Sequence, residues 1–551
     1  MGKSIIKTVQ QGVFMIAIFM FGVAATVNTD HGKSFEIAKN IEIFVTLYKE
    51  LNTYYVDDID PARLMRTGVD AMLESLDPYT NYISESDIEG YRYITEGKYN
   101  GIGANFEKIK DYVAVLEPYE GTPAHKAGLK AGDRIIAVDG KSAKGKSVED
   151  VGFILRGAPG TEVELTISRP GTTKELKIII TRDEVQEENV PYHGMLKNDV
   201  GYIVLTIFTR DAGAHIAEAY RDLKSKNPNM KGLILDLRGN GGGLLAEAVN
   251  ICNIFIPKGQ VVVTTKGKVV EWDRSFKTMN NPEDEQIPVV VLIDKGSASA
   301  SEIVSGTLQD YDRAVLMGQR SYGKGLVQNT REVGYNAKIK LTTAKYYIPS
   351  GRCIQAISYH QGEPMDVPDS QRAQFKTTNG RIVLDGGGVT PDLLLPKDAE
   401  PAIIKGLRTQ FLIFDYVTDY VLKHPTIDSV ADFHFKEFDG FAQYLSDKGF
   451  VYDTESEIAM KKLKEQAEKE KFSALVGAEI KAMETKIQNE KKGDLARHKE
   501  AITKLIEREI VGRYYYQKGK FQINLRDDGE VEEAIKLLND PVKYRGLLKK
   551  V

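Results

Sequence analysis

Three clusters in this chain carry side chains suited to acyl-transfer chemistry. The first reads Ser297-Ala-Ser-Ala-Ser-Glu302 and follows an apolar run, Val289 to Ile293, that Gly296 brings to an end. The second is Ser321-Tyr-Gly-Lys324, with a glycine on each side of the lysine and Gln328 four residues beyond it. The third is Arg238-Gly-Asn-Gly-Gly-Gly243, behind another apolar run, Gly232 to Leu237. A serine hydroxyl needs a base, and a lysine at its ordinary pKa of about 10.4 is protonated at neutral pH. Burial disfavours the ammonium and can bring that value down to roughly 7–8, which leaves a usable amine. A glycine loop that opens a helix presents N–H groups to a developing oxyanion. A nucleotide site fits poorly, because the loop has no Walker lysine and does not read G-x-G-x-x-G.

Local pattern does not choose among the serines. Ser299 stands three residues before Glu302, the spacing of a capping box, and on pattern alone the cap is the ordinary reading. Ser321 and Lys324 form a literal S-x-x-K, the signature of penicillin-binding enzymes. In those enzymes the motif opens a helix and is joined by elements such as K-T-G, whereas here glycines flank the lysine. Lys324 alone reads as a loop lysine. Gln328, taken as one helical turn further on, reads as a helix-surface amide or as a group that orients the amine without adding charge. The eight histidines are scattered with no H-E-x-x-H, and Cys252 and Cys353 form neither a disulfide framework nor a metal cluster. No metal and no cofactor is expected.

The elements that must position these residues fall into five stretches. Lys3 and Lys7 precede an uncharged apolar run, Val13 to Val27, so residues 1–30 read as a secretory signal cleaved after Ala25 or as an uncleaved membrane anchor. The remainder is then expected outside the cytoplasm, in the periplasm. With 42% hydrophobic and 28% charged residues and a net charge of -4, the chain has no basic field for nucleic acid. Residues 31–96 read as helices, with Ile37, Ile41, Phe44, Val45, Tyr48 and Leu51 at helical spacing. The tyrosines after Asp77-Pro78, namely Tyr79, Tyr82, Tyr91, Tyr93 and Tyr99, read as packing. Residues 97–184 have the texture of short strands and glycine turns, and a charged linker, Asp183 to Asn189, leads out of them. Residues 185–397 alternate strands and helices. Residues 398–551 are helical and rich in Lys and Glu, which suits a solvated appendage or a partner surface.

The run Ala127-Gly-Leu-Lys-Ala-Gly-Asp-Arg-Ile-Ile-Ala-Val-Asp-Gly140, behind Gly121-Thr-Pro-Ala, resembles a PDZ domain. Such a domain adds a peptide strand to a sheet edge and holds the terminal carboxylate on backbone N–H groups, for which Gly101-Ile102-Gly103 is the matching loop. Together with Ser75-Leu-Asp-Pro, Asp236-Leu-Arg-Gly-Asn-Gly-Gly-Gly, Ser297-Ala-Ser-Ala-Ser-Glu, Tyr322-Gly-Lys-Gly-Leu-Val-Gln and Pro349-Ser-Gly-Arg, this run makes residues 35 to 395 similar to the carboxyl-terminal processing peptidases, or tail-specific proteases.

The resemblance implies a multidomain α/β fold: a ClpP/crotonase-like peptidase core with an inserted PDZ domain and helical N- and C-terminal regions. It implies a serine endopeptidase with Ser299 as nucleophile, Lys324 as general base and Gln328 orienting the lysine. The implied oxyanion donors are the N–H groups of Ala300 and Gly242, and Arg156 matches a position that couples the PDZ domain to the site in some relatives. Substrates would be proteins with unstructured, apolar C-termini. The C-terminal helices are the place for an adaptor, and a homo-oligomer is left open. The chain departs from the family at Gly239-Asn-Gly241, where Asn-Asn-Pro is frequent and where the glycines imply a looser loop, and at Cys353, where serine is frequent. The reading from another class is a non-catalytic PDZ scaffold for C-termini, against which the intact Ser299, Lys324 and Gln328 stand.

Overall fold

The computed structural model describes residues 31–360, 363–366, 368–396 and 399–549. The leader or anchor expected over 1–30 lies outside them. Among the described residues no helix is long and apolar enough to cross a membrane. The chain divides into two compact units, Met1–Ser75 and Leu76–Val551. In the first, Asp60 caps the helix Pro61–Glu74 by accepting the N–H groups of Ala62 and Arg63, and Pro61 occupies the position where a helix needs no donor.

In the second unit, a six-stranded sheet runs in the order Tyr192–Leu196, Val200–Val204, Gly232–Asp236, Val289–Ile293, Ala314–Gly318, Leu393–Leu394. All its pairings are parallel except the first. Continuous apolar runs such as Val289–Ile293 suit strands buried on both faces, and the residues alternate as a strand requires. Val289, Val291 and Ile293 pack with the crossover helices Ala212–Lys226, Leu245–Phe255 and Ala300–Asp310. Val290 and Leu292 face the other way, onto Val531, Ala534, Ile535 and Leu538 of the helix Gly529–Leu538. The last helices of the chain therefore complete the peptidase core. Tyr544 pins them there, its hydroxyl accepting the N–H of Val289 and donating to the same residue's carbonyl, each at 2.9 Å.

A second, five-stranded sheet contains Asn81–Ile83, Ala337–Tyr347, Val261–Gly267 and Arg274–Lys277, with Leu326–Gly334 paired to Ala337–Tyr347. The PDZ module is a separate sheet with its own core of Ile102, Val115, Ile135, Val151 and Leu165. Its strand Ala104–Ile109 lies at the sheet edge. The charged stretch read as a linker is only partly one. Asp183–Gln186 is a strand paired antiparallel with Lys98–Gly101, so the chain leaving the PDZ module is stitched to the chain that leads into it.

The C-terminal helices Ala402–Thr409, Leu412–Lys423, Phe438–Asp447 and Lys499–Leu525 share a core. Ile506, Ile510 and Val511, the regular apolar minority of that charged stretch, are fully buried in it.

Candidate active site

Ser299 sits where the strand Val289–Ile293 turns into the helix Ala300–Asp310, with φ 56° and ψ −111°. A non-glycine residue held at positive φ is strained, and such strain persists only where surrounding contacts impose it. A sharp strand-to-helix turn of this kind lifts a nucleophile's Oγ clear of the helix. Ser299 and Glu302 face each other in the capping-box arrangement, but only the Glu302 half reaches hydrogen-bond geometry, Oε2 accepting the Ser299 N–H at 2.8 Å. The Ser299 hydroxyl makes no capping hydrogen bond.

The neighbouring serines are all engaged. Ser297 donates to the Leu237 carbonyl at 2.8 Å and accepts the Asp294 N–H at 2.9 Å. Ser301 donates to the Asn240 carbonyl at 2.8 Å. Ser321 donates to Glu302 Oε1 at 2.5 Å and accepts the Val389 N–H at 2.7 Å. Ser321 is buried and lies between elements, not at the start of a helix, so the S-x-x-K reading finds no support.

Glu302 is the hub of the site. Fully buried, its carboxylate accepts the N–H groups of Ser299, Gly323 (2.7 Å) and Lys324 (2.9 Å) as well as the Ser321 hydroxyl. It thereby fastens the serine turn to the lysine loop. Burial pushes its pKa up to about 7 against the pull of those four donors. Both glycines of the loop are needed for close approach. A Cβ on Gly323, which has φ 90°, would lie 2.3 Å from that of Ala356, and one on Gly325 would lie 2.7 Å from the Gln355 nitrogen.

Lys324 is half-buried, with Nζ 4.5 Å from the centroid of the Tyr79 ring. Burial lowers its pKa to about 8, helped by the nearby Lys340 and opposed by Glu302 and Asp77. Tyr79, read from sequence as packing, thus belongs to the site. Gln328 is not a helical turn beyond the lysine. It lies on the strand Leu326–Gly334 at a register shift, and its amide donates to Thr342 Oγ1 at 3.2 Å. Thr342 in turn donates to Asp77 Oδ1 at 3.3 Å, so Gln328 and Asp77 share one hydroxyl, and the Asp77 charge acts on Lys324.

The glycine loop lies against the serine turn. A Cβ on Gly242 would come 2.9 Å from Ala300 N and 2.6 Å from the Ala298 carbonyl. Ala300 is the first helical residue, so its N–H has no intrahelical acceptor. The Gly242 N–H instead donates to Asn240 Oδ1 at 2.8 Å. The looseness implied by the glycines at 239 and 241 is not what the structure shows. Asn240 is fully buried, donates through Nδ2 to Leu205, and accepts the Ala298 N–H and the Ser301 hydroxyl on its carbonyl, while Gly239 N–H donates to Asp294. Asparagine there reads as a loop residue; only its tertiary partners reveal it as the pin.

In the PDZ module, Gly103 has φ 79°, and a Cβ on it would lie 2.4 Å from Thr122. The Gly101-Ile102-Gly103 loop is anchored by its carbonyls, Ile102 accepting from Ala124 N at 2.7 Å and Gly103 from Tyr119 N at 3.0 Å. It leads straight into the edge strand Ala104–Ile109, beside the helix Val148–Leu155. Arg156 is the exposed C-cap of that helix. Its Nη1 lies 4.0 Å from where a Cβ on Gly90 would stand, in the helix Ile88–Glu96. Among the described residues no cluster of His, Cys, Asp and Glu is fit to hold a metal.

A strained serine turn at the end of a buried parallel strand, a depressed lysine beside it and a separate PDZ sheet define a class, the PDZ-bearing serine peptidases. Comparison with known proteins agrees. Residues 199–362 match the model of peptidase family S41, residues 115–169 a PDZ domain, and residues 403–538 the domain described as "Probable PDZ-protease, C-terminal helical domain". The chain is 37% identical over 349 residues to a carboxy-terminal-processing protease of Bartonella bacilliformis, covering 63% of this chain and 79% of that protein. It is 36% identical over 336 residues to a probable CtpA-like serine protease of Staphylococcus aureus, covering 60% and 66%. Among solved structures, the photosystem II D1 C-terminal processing protease aligns over 66% of this chain and 95% of that one, at 26% identity and a TM-score of 0.35. The chain belongs to the carboxy-terminal-processing proteases of family S41 and is a serine peptidase.

Proposed function

We propose that this chain is an exported endopeptidase, working in the periplasm, that cleaves proteins whose apolar C-terminal tails enter its PDZ groove. The observation that carries the chemistry is the Ser299 turn, strained at φ 56° and holding a hydroxyl with no capping hydrogen bond while its neighbours' hydroxyls are all committed. Ser299 Oγ attacks the scissile carbonyl as its proton passes to neutral Lys324 Nζ. The tetrahedral oxyanion is met by the Ala300 N–H and by the Gly242 N–H, the latter on leaving Asn240 Oδ1. The lysine ammonium then gives its proton to the departing amine. Water, deprotonated by the same lysine, releases the acyl group from Ser299.

Gln328 supports this cycle through Thr342, which it shares with Asp77, a charge that acts on Lys324. The tail adds as a strand to Ala104–Ile109, its carboxylate on the Gly101-Ile102-Gly103 loop. Arg156, at the end of the groove helix and next to the helix Ile88–Glu96, carries occupancy of the groove toward the peptidase.

The test uses a protein with a flexible apolar tail. Ser299→Ala should lower its cleavage by at least about 1,000-fold, the scale of losing a nucleophile, while Ser321→Ala retains hydrolysis. Amidating the tail's carboxylate should slow cleavage by the wild-type enzyme. Cleavage by Ser299→Ala, or equal rates for acid and amide, would overturn the respective half of the proposal.

A further inference from the structure

The oxyanion loop begins at Arg238, and that side chain is held by a part of the chain some three hundred residues away. Its Nη1 donates to Asp528 Oδ1 at 3.2 Å and to Glu530 Oε2 at 2.6 Å, and its Nη2 to Asp528 Oδ2 at 2.8 Å. Nε and Nη2 also reach Asp236, at 3.0 Å and 2.5 Å, so every nitrogen of the guanidinium is engaged. The cluster is largely sheltered, with 19% exposure of the Arg238 side chain and 19% and 20% for its two distant partners. Asp528 is itself fixed, because its Oδ1 caps the helix Gly529–Leu538 by accepting the N–H groups of Glu530 and Val531. That helix is the apolar cover of the peptidase sheet.

Arginine's planar fork, filled bidentately on two sides, fixes the position of its own backbone. The next residues of that backbone are Gly239 and Asn240, which hold Gly242 against the serine turn. We infer that the C-terminal helical region positions the oxyanion loop through Arg238, with Asp528 and Glu530 as positioning residues for catalysis. The inference rests on the serine–lysine reading above for its effect on rate, but its structural content stands without it. It gives the helical region a task inside the catalytic core, beyond being a place for partners.

The test is the double variant Asp528→Asn/Glu530→Gln in the full chain. Asparagine remains a good N-cap, so the helix keeps its start. Expected is a fall in kcat of about 10- to 100-fold with KM within about twofold, since a small misplacement of a catalytic group costs up to this much. Binding of a peptide boronate, which mimics the oxyanion, should weaken by a matching factor, while a free tail peptide binds the PDZ domain as before. Amide hydrogen exchange at 239–243 should speed up by about tenfold or more if the clamp holds the loop. Conservative Glu530→Asp, which keeps the charge, should recover part of the rate. Unchanged exchange together with unchanged kcat overturns the clamp, as does a change confined to KM and tail affinity. Failure of the wild-type enzyme to bind the boronate would refute the serine–lysine reading instead, and the exchange rates would still decide the clamp.

Discussion

The C-terminal helical region meets the rest of its unit in two places with opposite chemistry. Against the peptidase sheet, Val531, Ala534, Ile535, Leu537, Leu538 and Tyr544 bury an apolar surface onto Tyr202, Ile234, Val290, Leu292, Val315 and Met317. Against the PDZ module the contacts include buried polar ones. Lys520 Nζ pairs with Glu117 at 2.7 Å, and the Tyr516 hydroxyl meets His125 Nε2 at 2.8 Å, with the two rings edge to face. Backbone approach adds to it, since Cβ atoms on Gly132 and Gly171 would lie 2.7 Å and 2.9 Å from Thr418 and Leu422 of the helix Leu412–Lys423. Tyr516 reaches its partner only from a break in its own helix, at φ 50° and ψ −152°. Exposing such an apolar cover to water would be unfavourable, since its burial is part of what drives folding. Here two modules with separate cores meet through a mixture of polar and close-packed contacts. The difference teaches that the sheet cover shares one core with the peptidase strands, whereas the PDZ module keeps a core of its own and is joined to the helical region by contacts between the two.

The most forceful way to break this comparison is at Leu538, whose side chain is 4% exposed and packs on Gly232. Leu538→Ala should cost about 2–5 kcal/mol, the range for truncating a buried leucine, read by denaturant unfolding of the full chain. A cost below about 1 kcal/mol would mean that the helix is an appendage after all. The polar contact should respond more mildly. Lys520→Ala leaves Glu117 without its partner and should cost about 1–3 kcal/mol, as for a charged hydrogen bond. The same variant should widen the solution-scattering envelope as the PDZ module swings free; an unchanged scattering profile would show that the contact is not what sets the pose. Tyr516→Phe removes one neutral hydrogen bond and should cost only about 0.5–1.5 kcal/mol.

What the sequence reveals follows the range of the forces involved. Val289–Ile293 and the helix after it are legible because their patterns are local, and the PDZ module because its glycines and apolar positions lie within a short span. Gln328 is misplaced because four-residue spacing suits a helix, while Leu326 and Val327 actually pair with Ala337–Tyr347. Glu302 looks like a cap because three of its four donors come from Ser321, Gly323 and Lys324, which no local pattern brings to it. Tyr79 looks like packing for the same reason. The helix Gly529–Leu538 reads as one amphipathic helix among many, and nothing in its own pattern says that its apolar face belongs to a sheet whose strands begin at residue 192. Even the linker that is partly a strand is paired across the whole PDZ module.

The smallest expected effect tests whether either contact reaches Lys324, the proposed base. As the proposed base, Lys324 would act only when neutral, and burial lowers its pKa to about 8. Below that value it holds its proton, so kcat/KM should fall about tenfold per pH unit, and above it the rate should level off. Glu302, raised to about 7, adds a second proton at lower pH. All four of its bonds are accepted, so protonation must expel one donor, and the slope should steepen toward two below about pH 7. Neither the sheet cover nor the PDZ contact supplies any of the charges that act on Lys324, which are those of Lys340, Glu302 and Asp77. Lys520→Ala and Leu538→Ala should therefore keep the upper midpoint within about 0.3 pH unit, or about 0.4 kcal/mol. A larger shift with Lys520→Ala alone would show that the PDZ pose alters the burial of the lysine, and would turn a separable contact into a switch of the base itself.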